Sequence, residues 1–153
     1  MSIETIQASI EQWSVKLVRE RKRTYVAQRV DGPDALHPLL SWMCDEAEEK
    51  FVAVYLNARL EPIGMSVVSH GTATCSLVHP REVFKGAILA NAYAVIVAHN
   101  HPSGDTTPSE DDDKTTRQLI QAGALLNIQV LDHIIVGDRY YHYRERKDWM
   151  WAV

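Results

Sequence analysis

Residues 92–98, Ala-Tyr-Ala-Val-Ile-Val-Ala, are apolar apart from one phenol hydroxyl, and they run directly into His99-Asn100-His101-Pro102. A short run of this kind predicts a strand buried on both faces, inside a sheet with cover above and below. Pro102 ends the strand because it has no N–H to give to a ladder. Side chains two apart on a strand point the same way, so His99 and His101 present two imidazoles to one point where the strand stops.

Downstream, Pro108-Ser109 followed by Glu110, Asp111, Asp112 and Asp113 predicts the start of a helix that runs to about residue 126. Asp112, in its first turn, can fold back over the strand end as a third ligand. Two neutral imidazoles, a carboxylate and a water make a tetrahedral zinc site with an open position, the catalytic type. The same residues fit a structural reading as well. Ser109-x-x-Asp112 is a capping pattern, and acids in a first turn suit the helix macrodipole.

The combination resembles a known family. His99-x-His101-Pro102, with Ser109 and Asp112 at fixed spacing beyond the proline, is similar to the metal-binding signature of the JAMM/MPN+ metalloproteases. The fuller string His99-Asn100-His101-Pro102-Ser103-Gly104-Asp105 with Thr107-Pro108-Ser109 resembles the RadC-like branch of that fold. So do Val78-His79-Pro80-Arg81-Glu82-Val83-Phe84-Lys85 upstream and Leu131-Asp132-His133-Ile134-Ile135-Val136-Gly137 downstream. The likeness covers residues 34–145. It implies a three-layer α/β/α deaminase-like sandwich with a mixed sheet. It further implies zinc held by His99, His101 and Asp112, with Ser109 bonding the bound water or oxyanion. The implied activity is amide or peptide hydrolysis by metal-activated water, with a peptide or protein as substrate, in a family labelled as DNA-repair related. The string His-Asn-His is not the HNH nuclease motif, whose three residues are dispersed in sequence.

One position departs from the family. Its general base is a glutamate on an earlier strand, a few residues before a Gly-Thr pair; alignment on Leu56-Asn57 and Gly71-Thr72 puts Ser66 there. A hydroxyl is not basic near neutral pH, whereas a tuned carboxylate can take a proton from zinc-bound water. Glu61 lies an odd number of residues away, on the opposite face of the strand and next to a turn. Asp105, Glu110 or a zinc-bound hydroxide unaided remain open as replacements.

The chain has 153 residues, a length that suits one domain with a proper core, and 46% hydrophobic and 24% charged residues, which are ordinary for a globular protein. Its formal net charge of −4 gives no global attraction to nucleic acid. No apolar run approaches a membrane span, and the N-terminus lacks a charged start followed by an apolar block; the expected location is cytoplasmic. Cys44 and Cys75 have no zinc spacing and read as reduced thiols.

Residues 1–33 read as an N-terminal helical arm, with Ile3, Ile6, Ile10, Trp13 and Leu17 at helical spacing, followed by the basic cluster Arg19, Arg21, Lys22 and Arg23. The catalytic-type domain then spans 34–153. Asp34 is expected to cap a helix carrying Leu36, Leu39, Leu40, Met43 and Ala47. Residues 51–56 and 63–69 predict an antiparallel hairpin that holds Ser66 beside the metal strand. Pro80 opens a helix behind His79. Residues 128–136 predict a strand in which Asp132 and His133 either orient the zinc ligands or form a satisfied structural pair. Gly137-Asp138 turns into a short strand, and the apolar tail Trp149-Met150-Trp151 docks on the domain or meets another chain.

The leading expectation is therefore a zinc metallohydrolase. Ser66 motivates the alternative of a catalytically impaired binding module, and the basic cluster motivates a DNA-associated protein.

Overall fold

The computed structural model describes residues 11–20, 29–71 and 78–152. Five strands make one mixed sheet in the order β2-β1-β3-β4-β5. They are β1 (Lys50–Leu56), β2 (Pro62–His70), β3 (Ala94–Asn100), β4 (Gln129–Val136) and β5 (Tyr140–His142). The apolar run becomes β3, the central strand, buried at every position. It pairs antiparallel with β1 and parallel with β4. A parallel pair needs a crossover connection, and helix α3 (Glu110–Leu126) supplies it.

Alternate residues of the strands feed two cores. On one face Phe51, Ala53, Val95 and Val97 pack against Val83 and Phe84 of helix α2 (Pro80–Leu89) and against Leu119 and Ile120 of α3. On the other, Val52, Val54, Ala94, Ile96 and Ala98 pack against Leu36, Leu39, Leu40 and Met43. Each fully buried aliphatic side chain here contributes on the order of 2 kcal/mol. The α/β class and the layered arrangement expected from the sequence are those observed.

Two expected helices differ. The segment that begins at Pro33 is a 3-10 turn (Pro33–Leu36), a single α-turn α1 (His37–Leu40) and a second 3-10 turn (Ser41–Asp45), with Gly32 at the first cap position and Asp34 inside the turn. Pro38 is the cause: without an N–H it cannot join an α-ladder, so the chain tightens on either side of it. Residues 11–20 carry no regular element, and Trp13 and Val18 are exposed. A short helix with no face to bury against is marginal in water. The remainder of that expected helix, residues 1–10, lies outside the described residues, as do Arg21, Lys22, Arg23 and Cys75.

The C-terminal tail docks. Tyr143 opens a last helical turn, α4 (Tyr143–Arg146), and is buried with Met150 in the α2/α3 core, while the Trp151 indole N–H donates to the Val130 carbonyl at 2.6 Å. Among the described residues no helix is long and apolar enough to cross a membrane.

Candidate metal centre

His99 stands near the end of β3, and His101 follows just beyond it on the turn that Pro102 forces. Asp112 comes from the first turn of α3, where a capping box holds it: the Ser109 hydroxyl accepts from the Asp112 N–H at 3.1 Å, and the Ser109 N–H donates to Asp112 Oδ2 at 2.7 Å. The cap and the ligand are thus the same residues, so the two readings of Ser109-x-x-Asp112 do not compete. The Nε2 atoms of His99 and His101 lie 2.9 Å apart. Asp112 Oδ1 is 3.2 Å from His99 Nε2, and Oδ2 is 3.5 Å from His101 Nε2. His99 is buried, while His101 and Asp112 are partly open to solvent.

The hydrogen bonds behind the two imidazoles fix their tautomers. His101 Nδ1 lies 2.6 Å from the Asp105 carbonyl oxygen, which can only accept, so Nδ1 carries the proton. The Thr116 hydroxyl donates its one proton to the Asp112 carbonyl at 2.7 Å, so at 2.6 Å it accepts from His133 Nδ1. His133 is wholly buried, and burial, seconded by the charge of His99, holds its imidazole well below the usual range; it is neutral, with a bare Nε2. That Nε2 accepts from His99 Nδ1 at 2.8 Å. Both metal-facing nitrogens, His99 Nε2 and His101 Nε2, are consequently bare, and they point at each other beside a carboxylate.

Such a cluster of lone pairs needs a cation at its centre. Burial pushes the Asp112 carboxyl up, but hydrogen bonds with His101 and His99 outweigh it and hold the group well below the usual carboxylate range. Without an ion, a proton fills the role: the hydrogen bond to Asp112 raises His101, against burial, with help from the Asp105 carbonyl and the charge of Glu49. Two imidazole nitrogens and a carboxylate oxygen in this grouping fit a zinc-class metal. The profile described as the RadC-like JAB domain matches residues 30–148. The chain belongs to the RadC-like JAB domain family.

Among curated relatives, the RadC-like chain is 57% identical over 123 residues to the UPF0758 protein STH371 of Symbiobacterium thermophilum, covering 78% of this chain and 53% of that protein. It is 50% identical over 108 residues to the UPF0758 protein SH1266 of Staphylococcus haemolyticus, covering 71% and 47%. With a UPF0758 protein of Methanosarcina mazei it shares 41% identity over 125 residues, covering 79% and 55%. The chain spans about half the length of the curated relatives it matches.

In this RadC-like domain the structure does not bring Ser66 to the ligands. β2 is the edge strand and β1 lies between it and β3, with Ser66 opposite Ala53 and Ala53 opposite Val97. The Ser66 hydroxyl instead meets the Tyr55 hydroxyl at 2.5 Å, giving the phenol of a buried side chain its partner. Glu61 binds the Asn57 amide at the hairpin tip, the far end of the sheet, and the Asp105 carboxylate is taken by Thr107.

The carboxylate outside the ligand group whose charge is felt at the centre is Glu49. Phe51 pairs with His99 at the end of the β1/β3 ladder, and that antiparallel register, continued by two residues, sets Glu49 opposite His101 on the same side. The Gly71 N–H donates to the Glu49 carbonyl at 2.7 Å and continues the β1/β2 pairing to this point, and the charge of Glu49 is felt at His101. Sequence reading missed it because it sought the base by its distance from Gly71-Thr72. The usable signal was that a first strand antiparallel to β3 begins where β3 ends. Asp132 and His133 divide between the faces: His133 backs His99, whereas Asp132 receives His142 Nδ1 at 2.8 Å on the opposite side. His79 is the first cap residue of α2 and is not among the grouped ligands.

Proposed function

We propose that this RadC-like domain is a zinc-dependent hydrolase of amide or peptide bonds. The observation that carries the reading is the convergence of two bare imidazole nitrogens and one carboxylate on a single point, with the tautomers set by His133 and the Asp105 carbonyl. A bound zinc ion supplies Lewis-acid polarisation of the scissile carbonyl and a lowered water pKa. The other roles fall to the chain. His99, His101 and Asp112 hold the ion. Glu49, across from His101, takes the proton from the attacking water and returns it to the leaving amine. Ser109 accepts from the Asp112 N–H, which leaves its own hydroxyl proton to donate to the developing oxyanion. Ser109 is exposed, so a substrate can reach it.

The binding-module alternative drew on a missing carboxylate at Ser66; Glu49, whose charge is felt at His101, offers one in its place. A DNA-associated role draws on the basic cluster Arg19, Arg21, Lys22 and Arg23, of which only Arg19 is among the described residues, and on the family's DNA-repair label, against a formal net charge of −4. The test is metal content of the protein purified without added metal, beside His101→Ala, followed by hydrolysis of a peptide library by wild type and Glu49→Gln. Zinc in the wild type that falls by about one equivalent in His101→Ala, with cleavage lost in Glu49→Gln, supports the proposal. Failure to retain or take up any metal overturns it.

A further inference from the structure

On the opposite face of the sheet, away from His99 and His101, three more ligand-type side chains converge. Asp34 sits in the turn before α1, His37 opens α1 and His142 ends β5. The Nε2 atoms of His37 and His142 are 2.9 Å apart, and Asp34 Oδ1 is 3.5 Å from His37 Nε2. One ligand atom from each residue falls within 4.8 Å of the others.

The surroundings orient both rings. His142 Nδ1 donates to Asp132 Oδ2 at 2.8 Å, while Asp132 Oδ1 accepts the backbone N–H groups of His133 at 2.7 Å and Arg144 at 2.9 Å. Asp132 is therefore a carboxylate with every contact a donor, and His142 turns a bare Nε2 towards His37. An imidazole backed by a carboxylate is the usual support of a metal-binding histidine. His37 lies flat on Tyr140, with ring centroids 3.6 Å apart at 9°. Asp34 is exposed, so the open side of the group faces solvent.

We propose that Asp34, His37 and His142 form a second site for a zinc-class divalent ion, which clasps α1 to β5. The donor set is two imidazoles and a carboxylate, with a solvent position left open; nitrogen ligands favour zinc and its transition-metal neighbours over magnesium or calcium. Ion-free, the pair is a single hydrogen bond from His37 Nε2–H to His142 Nε2. Its ring centroids are 5.2 Å apart, against 4.8 Å for His99 and His101 at the same nitrogen spacing, so it is the more nearly head-on. On binding, the Nε2 proton of His37 leaves to solvent, Nδ1 takes one up, His37 tilts on Tyr140 and Asp34 closes from the surface.

The test is a zinc titration of the full chain by calorimetry, with melting curves, on wild type, His101→Ala, His37→Gln and the double variant. The expected result is about two equivalents in wild type, about one in each single variant and none in the double variant. In the His101→Ala background zinc raises the melting temperature, and His37→Gln abolishes the rise. The inference is overturned if His101→Ala binds no zinc, or if its binding and melting response are unchanged by adding His37→Gln. Zinc bound by wild type that is lost in His37→Gln and kept in His101→Ala supports this site and counts against the His99/His101 centre, so the two readings fail separately.

Discussion

His99 Nδ1 and His133 Nε2 meet at 2.8 Å between the parallel strands β3 and β4. This contact makes the metal-facing nitrogen of His99 a lone pair. The chain of donors behind it ends on α3: His99 gives to His133, His133 to Thr116, and Thr116 to the carbonyl of Asp112. The helix that presents a ligand through its first turn thus also sets, one turn later, the tautomer of the ligand opposite.

Thr116→Val keeps the shape and removes the hydroxyl. His133 then loses the acceptor for its Nδ1 proton, and the buried group left unpaired costs about 1–3 kcal/mol of stability. Loss of orientation behind the ligand lowers zinc affinity by about 10–100-fold. Competition with a chromophoric chelator reads the affinity; an unchanged value in a folded Thr116→Val would remove the relay from the account.

Glu49→Gln and Ser66→Ala separate the two positions considered for the base. Glu49→Gln is expected to bind zinc as wild type does and to lose about 10²–10⁴-fold in turnover, the range of general-base catalysis. Ser66→Ala leaves turnover within a few-fold and lowers the melting temperature slightly, because the Tyr55 hydroxyl loses its partner. The reverse pattern, with turnover falling in Ser66→Ala alone, would return the base to β2.

Stability in the presence of chelator is expected to fall as pH drops below about 6.5. His133 is held well below its ordinary value of 6.5, so under that pH the unfolded chain binds a proton which the folded chain refuses. The unfolded state then binds more protons, and stability declines by up to about 1.4 kcal/mol per pH unit for this group. His37, lowered as well, acts in the same direction, while His101, raised, acts in the opposite one. Urea denaturation of wild type and His133→Gln between pH 7.5 and 5 measures the slope, which is shallower in the variant; equal slopes would exclude His133 as the source.

What was legible in the sequence was local. The buried strand, the His99/His101 pair that ends it and the Ser109/Asp112 helix start all lie within residues 92–112, where strand and helix periodicity and the effects of Pro102 operate over a few positions. The choice of Glu49 depended on a pairing between strands about fifty residues apart, which no local pattern encodes. His133 was visible as a polar residue in an apolar strand, but its partner depended on β4 lying parallel to β3. Asp132, its neighbour, necessarily faces the other way, so one polar pair serves two sites. Pro38 was in plain view, yet the apolar spacing of Leu36, Leu39, Leu40 and Met43 outweighed it in the reading; those side chains reach the core through tight turns as well as through a regular helix.

Gly104 ties the backbone of the metal turn to the sheet, and it is where that turn is most readily disturbed. Its φ of +83° lies in the left-handed region, its N–H donates to the His101 carbonyl at 2.9 Å, and its carbonyl accepts from Asp138 at 2.9 Å. A Cβ there would sit 2.7–2.8 Å from the carboxylate of Asp138, an exposed side chain that can turn away, so the cost of Gly104→Ala is the strained φ, about 1–3 kcal/mol. The loop that moves includes the Asp105 carbonyl, which fixes the tautomer of His101. Zinc affinity should therefore fall along with the melting temperature. Gly123→Ala is the control: its Cβ would come within 2.5 Å of the Ile128 carbonyl, at the far end of α3, so it destabilises the chain without touching a ligand. If both variants lose the same stability and Gly104→Ala still binds zinc as tightly as Gly123→Ala, the turn does not hold His101 in place and the Asp105 contact is incidental.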